Sequence, residues 1–139
     1  MKRGILLLSL LIFSACQNNP EPPKPDACAG VTSKTHTVII PKGAAYPPHN
    51  SQTGQREDPR WYNPAVLEIN ACDKVEWVNR DYVYHTATAE ANSLAHFNTN
   101  YLTAGQTSTP IPFQKPGEYL YKCAPHAWMK GKIVVKKRP

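Results

Sequence analysis

The 139-residue sequence contains no apolar run long enough to cross a lipid bilayer as a helix, which takes about 20 residues. The longest apolar run, residues 4–13, has only about half of that length. Two basic residues, Lys2 and Arg3, precede this run, and small residues follow it. A short apolar run in that setting is typical of a signal peptide, which is removed on export. We therefore expect residues 1–15 to be a signal peptide.

The residues that close this segment, FSAC at positions 13–16, resemble the cleavage box of bacterial lipoproteins, in which the cysteine becomes the lipidated first residue. That family prefers leucine where Phe13 stands, and an ordinary secretory signal is the alternative. Residues 16–26 contain four prolines and no apolar stretch, as semi-rigid spacers do. We expect a lipid on Cys16, a tether to the membrane, a folded domain over residues 27–139, and a location in the periplasm or at the cell surface.

Acidic residues are also scarce, with 10 Asp and Glu against 16 Lys and Arg, so the formal net charge is +6. The end of the chain is basic, with the run Lys136, Lys137 and Arg138. Two interpretations of this charge are open: docking to an acidic partner or anionic lipid, and solvated charge that keeps the protein soluble. An exported chain with no nucleic-acid-binding motif is not expected to bind nucleic acid.

Sustained helical periodicity is missing as well, which excludes a helix bundle. Several short stretches are instead rich in β-branched or alternating apolar residues. These predicted strands are residues 35–40, 65–70, 74–79, 107–113, 118–122 and 131–136. The pattern predicts an all-β sandwich of about 7–8 strands. We expect residues 43–63 to form an irregular insertion, and residues 87–102 to hold a short helical turn.

Residues with metal-binding side chains stand close together near the end of the chain. The segment CAPHAWM supplies a thiolate, an imidazole and a thioether from Cys123, His126 and Met129, and His85 follows the predicted strand 74–79. Two His, one Cys and one Met are the donors of a mononuclear copper site with three in-plane ligands and an axial Met. Sulfur favours Cu(I) and imidazole also suits Cu(II). The sequence therefore predicts one copper ion at one end of the sandwich.

The chain resembles the cupredoxins of the plastocyanin, pseudoazurin and amicyanin group over about residues 66–135. Three matching stretches are CDKVEWVNRD, PGEYLYKC and MKGKIVV, and the C-x2-H-x2-M spacing resembles the short ligand loop of amicyanin. The resemblance implies a Greek-key β-sandwich and one copper ion held by His85, Cys123, His126 and Met129. It also implies single-electron transfer between redox protein partners rather than catalysis. We expect the protein to be a monomer and not an enzyme.

Three residues of this chain differ from those common in the family or limit the hydrogen bonds to the ligands. Many family members have Gly or Ala where this chain has Cys72. Asn commonly follows the first ligand His and ties the two ligand loops together, but Thr86 stands there in this chain. Pro125 has no N–H with which to donate a hydrogen bond to the Cys123 sulfur. We expect Thr86 to affect the reduction potential rather than the presence of the site.

The chain has only four cysteines, too few for a disulfide-dense scaffold. With Cys16 assigned to the lipid and Cys123 to the metal, Cys28 and Cys72 are left in an oxidising compartment. We expect these two to form a disulfide. Two buried free thiols are the alternative.

Zinc is the rival metal, but methionine is a poor zinc ligand and a catalytic metal would need an open position. The alternative function is a copper carrier or storage module without redox turnover. Such proteins favour open, Met-rich donor sets, whereas this chain has two Met, one of them the initiator. The remaining histidines have no motif support and are expected not to bind the metal: His36, His49 and His96. An apolar ring around His126 is expected from Pro125, Ala127, Trp128 and residues 44–46.

Overall fold

The computed structural model describes residues 28–47 and 60–139, which form two β-sheets around one core. The strands are β1 (Thr35–Ile40), β2 (Val66–Asn70), β3 (Lys74–Asn79), β4 (Thr88–Ala89), β5 (Ile111–Pro112), β6 (Gly117–Lys122) and β7 (Lys130–Lys136). One sheet has the order β1-β3-β5 and the other β2-β7-β6-β4. The predicted β-sandwich is confirmed. The proposed signal peptide, Cys16, the tether and His49 lie outside the described residues.

Buried residues alternate with more exposed ones along β3, β6 and β7. Because successive side chains point to opposite faces of a sheet, the buried ones face the core. In β3, Val75, Trp77 and Asn79 are fully buried, as the period-two pattern predicts. Trp77 stacks on Phe97 with ring centroids 5.7 Å apart and meets Tyr121 edge-on at 5.5 Å. Such aromatic pairs add stabilisation beyond the area that they bury. Trp77 and Tyr121 therefore belong to the structural core.

The strand directions give the sandwich two distinct ends. β1 runs parallel to β3, β2 runs parallel to β7, and β6 runs antiparallel to β7. We call the end that holds Cys72, Asp73 and the last residue of β7 the basal pole, and the end where β3 and β6 finish the apical pole. A strand of six residues at about 3.3 Å each separates them by roughly 20 Å. Among the described residues, no helix has the length and apolar character needed to cross a membrane.

Two sequence-based expectations were wrong in whole or in part: the strand over residues 107–113 and the helical turn within residues 87–102. Of the predicted strand 107–113, Ile111–Pro112 forms β5 and Thr107 forms an isolated bridge with Val78. Between them, the Ser108 hydroxyl accepts a hydrogen bond from the backbone N–H of Trp77 at 3.0 Å. The described residues 87–102 form no helix but short bridges and β4. The described residues of the insertion predicted over 43–63 belong to no strand or helix, as expected, but its Trp61 and Tyr62 are buried in the core.

A disulfide joins Cys28 to Cys72 at the basal pole, with Cα atoms 5.5 Å apart. Cys72 has a φ of 75°, a left-handed conformation that costs a residue with a Cβ but not glycine. Its N–H donates to the Phe113 carbonyl at 2.8 Å, so the turn is fixed on both sides. This backbone conformation suits the Gly, but not the Ala, that the sequence analysis gave as common in the family at this position.

Asp73, which is buried beside the disulfide, joins three parts of the chain at the basal pole. Its carboxylate accepts hydrogen bonds from the Lys34 N–H at 3.1 Å, from His36 Nε2 at 2.9 Å and from the Asn70 N–H at 3.3 Å. Arg138 forms an ion pair with it at 2.6 Å. Burial would raise the pKa of Asp73, but the hydrogen bonds and the Arg138 charge lower it from 3.8 to about 2.

Replacing Asp73 with asparagine is expected to lower the free energy of unfolding by about 2 kcal/mol at pH 7. Because the folded-state pKa of Asp73 lies below the unfolded one, its stabilisation is present above about pH 4 and is lost as the pH falls toward 2. Urea unfolding of both proteins at several pH values measures this difference. Glu118→Gln, at an exposed site, is the control and should change the stability little. A difference that stays constant down to pH 2 would contradict the prediction.

Candidate metal centre

His85 is held at the apical pole by the turn that follows β3. The Asn79 side chain donates from Nδ2 to the carbonyls of Val83 and Leu102 at 2.7 and 2.8 Å, and its Oδ1 accepts the Asp81 N–H at 2.9 Å. The backbones of His85 and Leu102 exchange two further hydrogen bonds. This turn places the His85 imidazole, which is fully buried, inside the end of the sandwich.

The loop from Cys123 to Met129 brings a second histidine to the same place. The Cys123 N–H donates to the Met129 carbonyl at 3.1 Å, and the Met129 N–H donates to the His126 carbonyl at 2.9 Å. Cys123 and Met129 are fully buried, whereas His126 is partly exposed. The loop therefore closes on itself between β6 and β7 and leaves one imidazole edge at the surface.

Three donor atoms converge in this space. His85 Nδ1 and His126 Nδ1 each lie 3.5 Å from the Cys123 sulfur, and one donor atom of each residue lies within 4.8 Å of the others. Metal–ligand bonds of about 2.0–2.3 Å at angles near 120° give donor separations of this size. Met129, whose thioether is buried, is the last residue of the same short loop. The geometry and the mixed sulfur and nitrogen chemistry fit one copper ion.

When no metal ion is bound, the surroundings of Cys123 and His126 favour the uncharged forms of both side chains. Burial raises the pKa of the Cys123 thiol, although the backbone N–H groups of Thr86 and His126 oppose that rise. Burial, together with nearby His85, lowers the pKa of His126. His126 therefore offers a neutral imidazole near pH 7, and a metal ion can replace the thiol proton of Cys123.

Asp81 orients His85, a role that the sequence analysis missed. Its Oδ2 lies 2.9 Å from His85 Nε2, and its carboxylate also accepts the N–H groups of Gly43 and Ala45 at 2.9 and 3.3 Å. Burial would raise the pKa of Asp81, but these hydrogen bonds lower it below its ordinary value. An ionised carboxylate holds the proton on Nε2 and leaves the Nδ1 lone pair toward Cys123. The available sequence signal was an acidic residue four positions before the histidine.

Removing the Asp81 carboxylate in Asp81→Ala is expected to weaken copper binding by about 10- to 100-fold. Asp81→Asn should have a smaller effect, because an amide oxygen can still accept from His85 Nε2. Competition with a chelator measures the affinity of each variant. Glu76→Gln, a carboxylate of β3 that accepts from Thr37 far from the site, is the control. Unchanged affinity in Asp81→Ala would show that packing alone orients His85.

Thr86 connects the two ligand segments. Its hydroxyl accepts the Ala124 N–H at 2.9 Å, and its own N–H points to the Cys123 sulfur at 3.3 Å. A threonine thus makes the connection that the family commonly assigns to asparagine. Exposed Pro125 adds no donor to the sulfur. Tyr62, which the sequence analysis placed in the insertion, supports Thr86 by donating its hydroxyl hydrogen to the Thr86 carbonyl.

The surface beside His126 is apolar and aromatic. Pro125 and Ala127 are exposed, and the Trp128 ring centroid lies 5.4 Å from that of His126. Of residues 44–46, expected in this ring, Tyr46 is 76% exposed but Ala44 is fully buried under the turn that binds Asp81, so Ala44 cannot contribute. Three exposed tyrosines were not foreseen: Tyr82, Tyr84 and Tyr101.

Of the three histidines without motif support, the two that the structure describes are not members of the donor cluster. His36 contacts Asp73 at the basal pole, and His96 is exposed. Within residues 28–47 and 60–139, the one group of three metal-binding His, Cys or acidic side chains is His85, Cys123 and His126.

Comparisons with known proteins agree with this geometry. Residues 49–136 match the family of copper binding proteins described as plastocyanin/azurin. The chloroplast plastocyanin of Tetradesmus obliquus is 31% identical over 78% of this chain and 78% of its own length. An amicyanin of Paracoccus versutus is 30% identical over 73% of this chain and 77% of its own. A solved purple cupredoxin from Nitrosopumilus maritimus superposes with a TM-score of 0.58 at 30% identity, covering 72% of this chain and 98% of its own.

The predicted resemblance to cupredoxins is thereby confirmed, and so is the copper cofactor. The matched region contains His85, the ligand loop and six of the seven strands. It leaves out β1, which nevertheless pairs with β3 along its whole length. The chain belongs to the copper-binding plastocyanin/azurin family, the cupredoxins, and binds one copper ion.

Proposed function

We propose that this protein is an exported carrier of single electrons that holds its copper ion with His85, Cys123, His126 and Met129. The observation that carries the proposal is a buried donor cluster with one partly exposed member, His126. Bound copper supplies a Cu(I)/Cu(II) couple. Four donors leave no open position for a substrate, which supports a carrier rather than an enzyme.

The residues around the donors favour fast electron transfer because they fix the ligands in place. Asp81 holds the far side of the His85 ring, and Thr86 joins the His85 segment to the loop that carries Cys123. A site whose donors are already positioned needs little rearrangement when its charge changes. The exposed edge of His126, beside Trp128, is our candidate for the point where electrons enter and leave.

The partners are proposed to be redox proteins that dock on the apolar surface around His126. Tyr46, Tyr82 and Tyr84 are more than half exposed at the same pole. Aromatic side chains are enriched at protein interfaces, whereas isolated surfaces rarely expose several large rings. We propose that the protein acts as a monomer whose apical pole meets one partner at a time.

Export and anchoring are proposed from the sequence and from the disulfide. Cys28 and Cys72 are bonded, and structural disulfides persist in oxidising compartments. This supports a signal peptide over residues 1–15 and a periplasmic or cell-surface location. A lipid on Cys16 and a tether over residues 16–26 would then hold the domain, residues 27–139, near a membrane.

The test is coulometric titration of the copper-loaded protein. We expect reversible uptake and release of one electron for each copper ion, with the metal retained in both oxidation states. Metal analysis before and after several cycles provides the control. Loss of the copper on reduction, or failure to cycle it between its two oxidation states, would overturn the proposal. Either result would favour the alternative, a module that carries or stores copper without redox turnover.

A further inference from the structure

The basal pole carries a group of cationic side chains contributed by several separate parts of the chain. Backbone hydrogen bonds put these parts side by side: the Lys74 N–H donates to the Lys34 carbonyl, and the Ala71 N–H donates to the Lys136 carbonyl, both at 2.8 Å. We call this group the basal cluster. Its members are Lys34, Lys74, Lys115, Lys136, Lys137 and Arg138.

Carboxylates of the described residues neutralise only a minor part of this charge. Lys136 pairs with Glu68, and Arg138 pairs with buried Asp73. The other four members are exposed and form no ion pair with the residues that the structure describes. A cluster of four to eight Lys and Arg residues is typical of surfaces that bind anionic lipid headgroups.

The chain enters the domain at the same pole. Residue 28 is covalently fixed there by its bond to Cys72, so the preceding residues reach the domain from the basal side. The metal-binding residues lie at the opposite pole, beyond the ends of β3 and β6. A membrane that contacts the basal cluster would therefore leave the apical pole facing away from it.

We propose that the basal cluster is a docking surface for the anionic phospholipid headgroups of a membrane. The contact holds the domain upright, with His126 turned toward the aqueous space where a redox partner diffuses. It extends the proposed function by fixing an orientation, but it does not require a lipid on Cys16, because electrostatic attraction acts on any copy near the surface.

The test uses the full mature chain with Cys16→Ser, produced behind an ordinary secretory signal so that no lipid is attached. Its partition onto vesicles of phosphatidylglycerol mixed with phosphatidylcholine is compared with that onto phosphatidylcholine alone. We expect binding to the anionic vesicles only, weakened by salt. A Lys74→Glu/Lys137→Glu variant should lose about 25-fold or more in partition, since each lysine at such a surface contributes about 5-fold.

The matched control is Lys42→Glu/Arg80→Glu, which makes the same change in net charge at the apical pole. It should change the partition by less than about 2-fold if the basal pole faces the lipid. Equal losses in both variants would show attraction through net charge alone and would overturn the docking surface. Absence of binding to anionic vesicles would also overturn it, and would favour an acidic protein as the occupant.

The copper-dependent visible spectrum of each variant reports whether the fold and the metal site are intact. Neither pair of substitutions touches the donor cluster, so both spectra should match that of the parent. Failure of vesicle binding with normal one-electron cycling would refute this proposal alone. Failure of cycling with normal vesicle binding would refute the proposed function alone.

Discussion

Cys123→Ser is expected to abolish the intense visible absorption of the copper-loaded protein and to weaken copper binding by about 1,000-fold or more, equivalent to about 4 kcal/mol. The strong absorption of such sites comes from the copper–thiolate bond, and a hydroxyl group supplies neither the soft sulfur nor the negative charge. Absorption spectra at equal copper loading, followed by competition with a chelator, measure both effects.

Met129→Leu is the companion variant, because it removes a sulfur but keeps the thiolate and nearly the same buried volume. We expect it to keep the visible absorption while its reduction potential changes. Retention of the absorption in Cys123→Ser, or its loss in Met129→Leu alone, would contradict the assignment of Cys123 as the thiolate donor.

Removal of the disulfide in Cys28→Ser/Cys72→Ser is expected to lower the free energy of unfolding by about 4 kcal/mol. The bond joins residues 44 positions apart, and opening a loop of that length restores much conformational freedom to the unfolded chain. Denaturant unfolding of the copper-free proteins measures the loss without a contribution from metal binding. A change of less than about 1 kcal/mol would contradict the prediction.

Cys28→Ser/Cys72→Gly separates the loss of the bond from the backbone strain at residue 72. Glycine accepts the φ of 75° without the cost borne by a side chain with a Cβ, so this variant should be about 1 kcal/mol more stable than the double serine variant. Equal stabilities of the two variants would show that the turn relaxes once the bond is gone.

Much of the framework could be predicted from the sequence because its signals are local. β1 and β3 have the bounds that alternation and β-branched residues predicted, and the donor residues fall in a short loop plus one upstream histidine. Pairing of β1 with β3 along its full length was not predictable from either strand alone. Such pairing depends on which apolar faces meet across the core.

The residues that position the metal ligands could not be predicted from the sequence, because their contacts with the ligand segments exist only in the folded chain. Asp81 matters because it faces His85 on one side and the turn at Gly43 on the other. Tyr62 reaches Thr86 from a segment that is polar and rich in turns in the sequence. Neither contact follows a periodic pattern. Ala44 was misplaced for the same reason, since only the folded turn shows that its methyl group points inward.

The hydrogen bonds of Asp81 to Gly43 and Ala45, and the burial of Trp61 and Tyr62, have a consequence for protein engineering. They fix the chain at residues 43–45 and at residues 61–62, which precede and follow residues 48–59 in the sequence. Loop length carries only a small entropic penalty when the ends are already held. A recognition peptide or an affinity tag inserted between positions 48 and 59 is therefore expected to leave the copper-dependent visible absorption and the reduction potential unchanged.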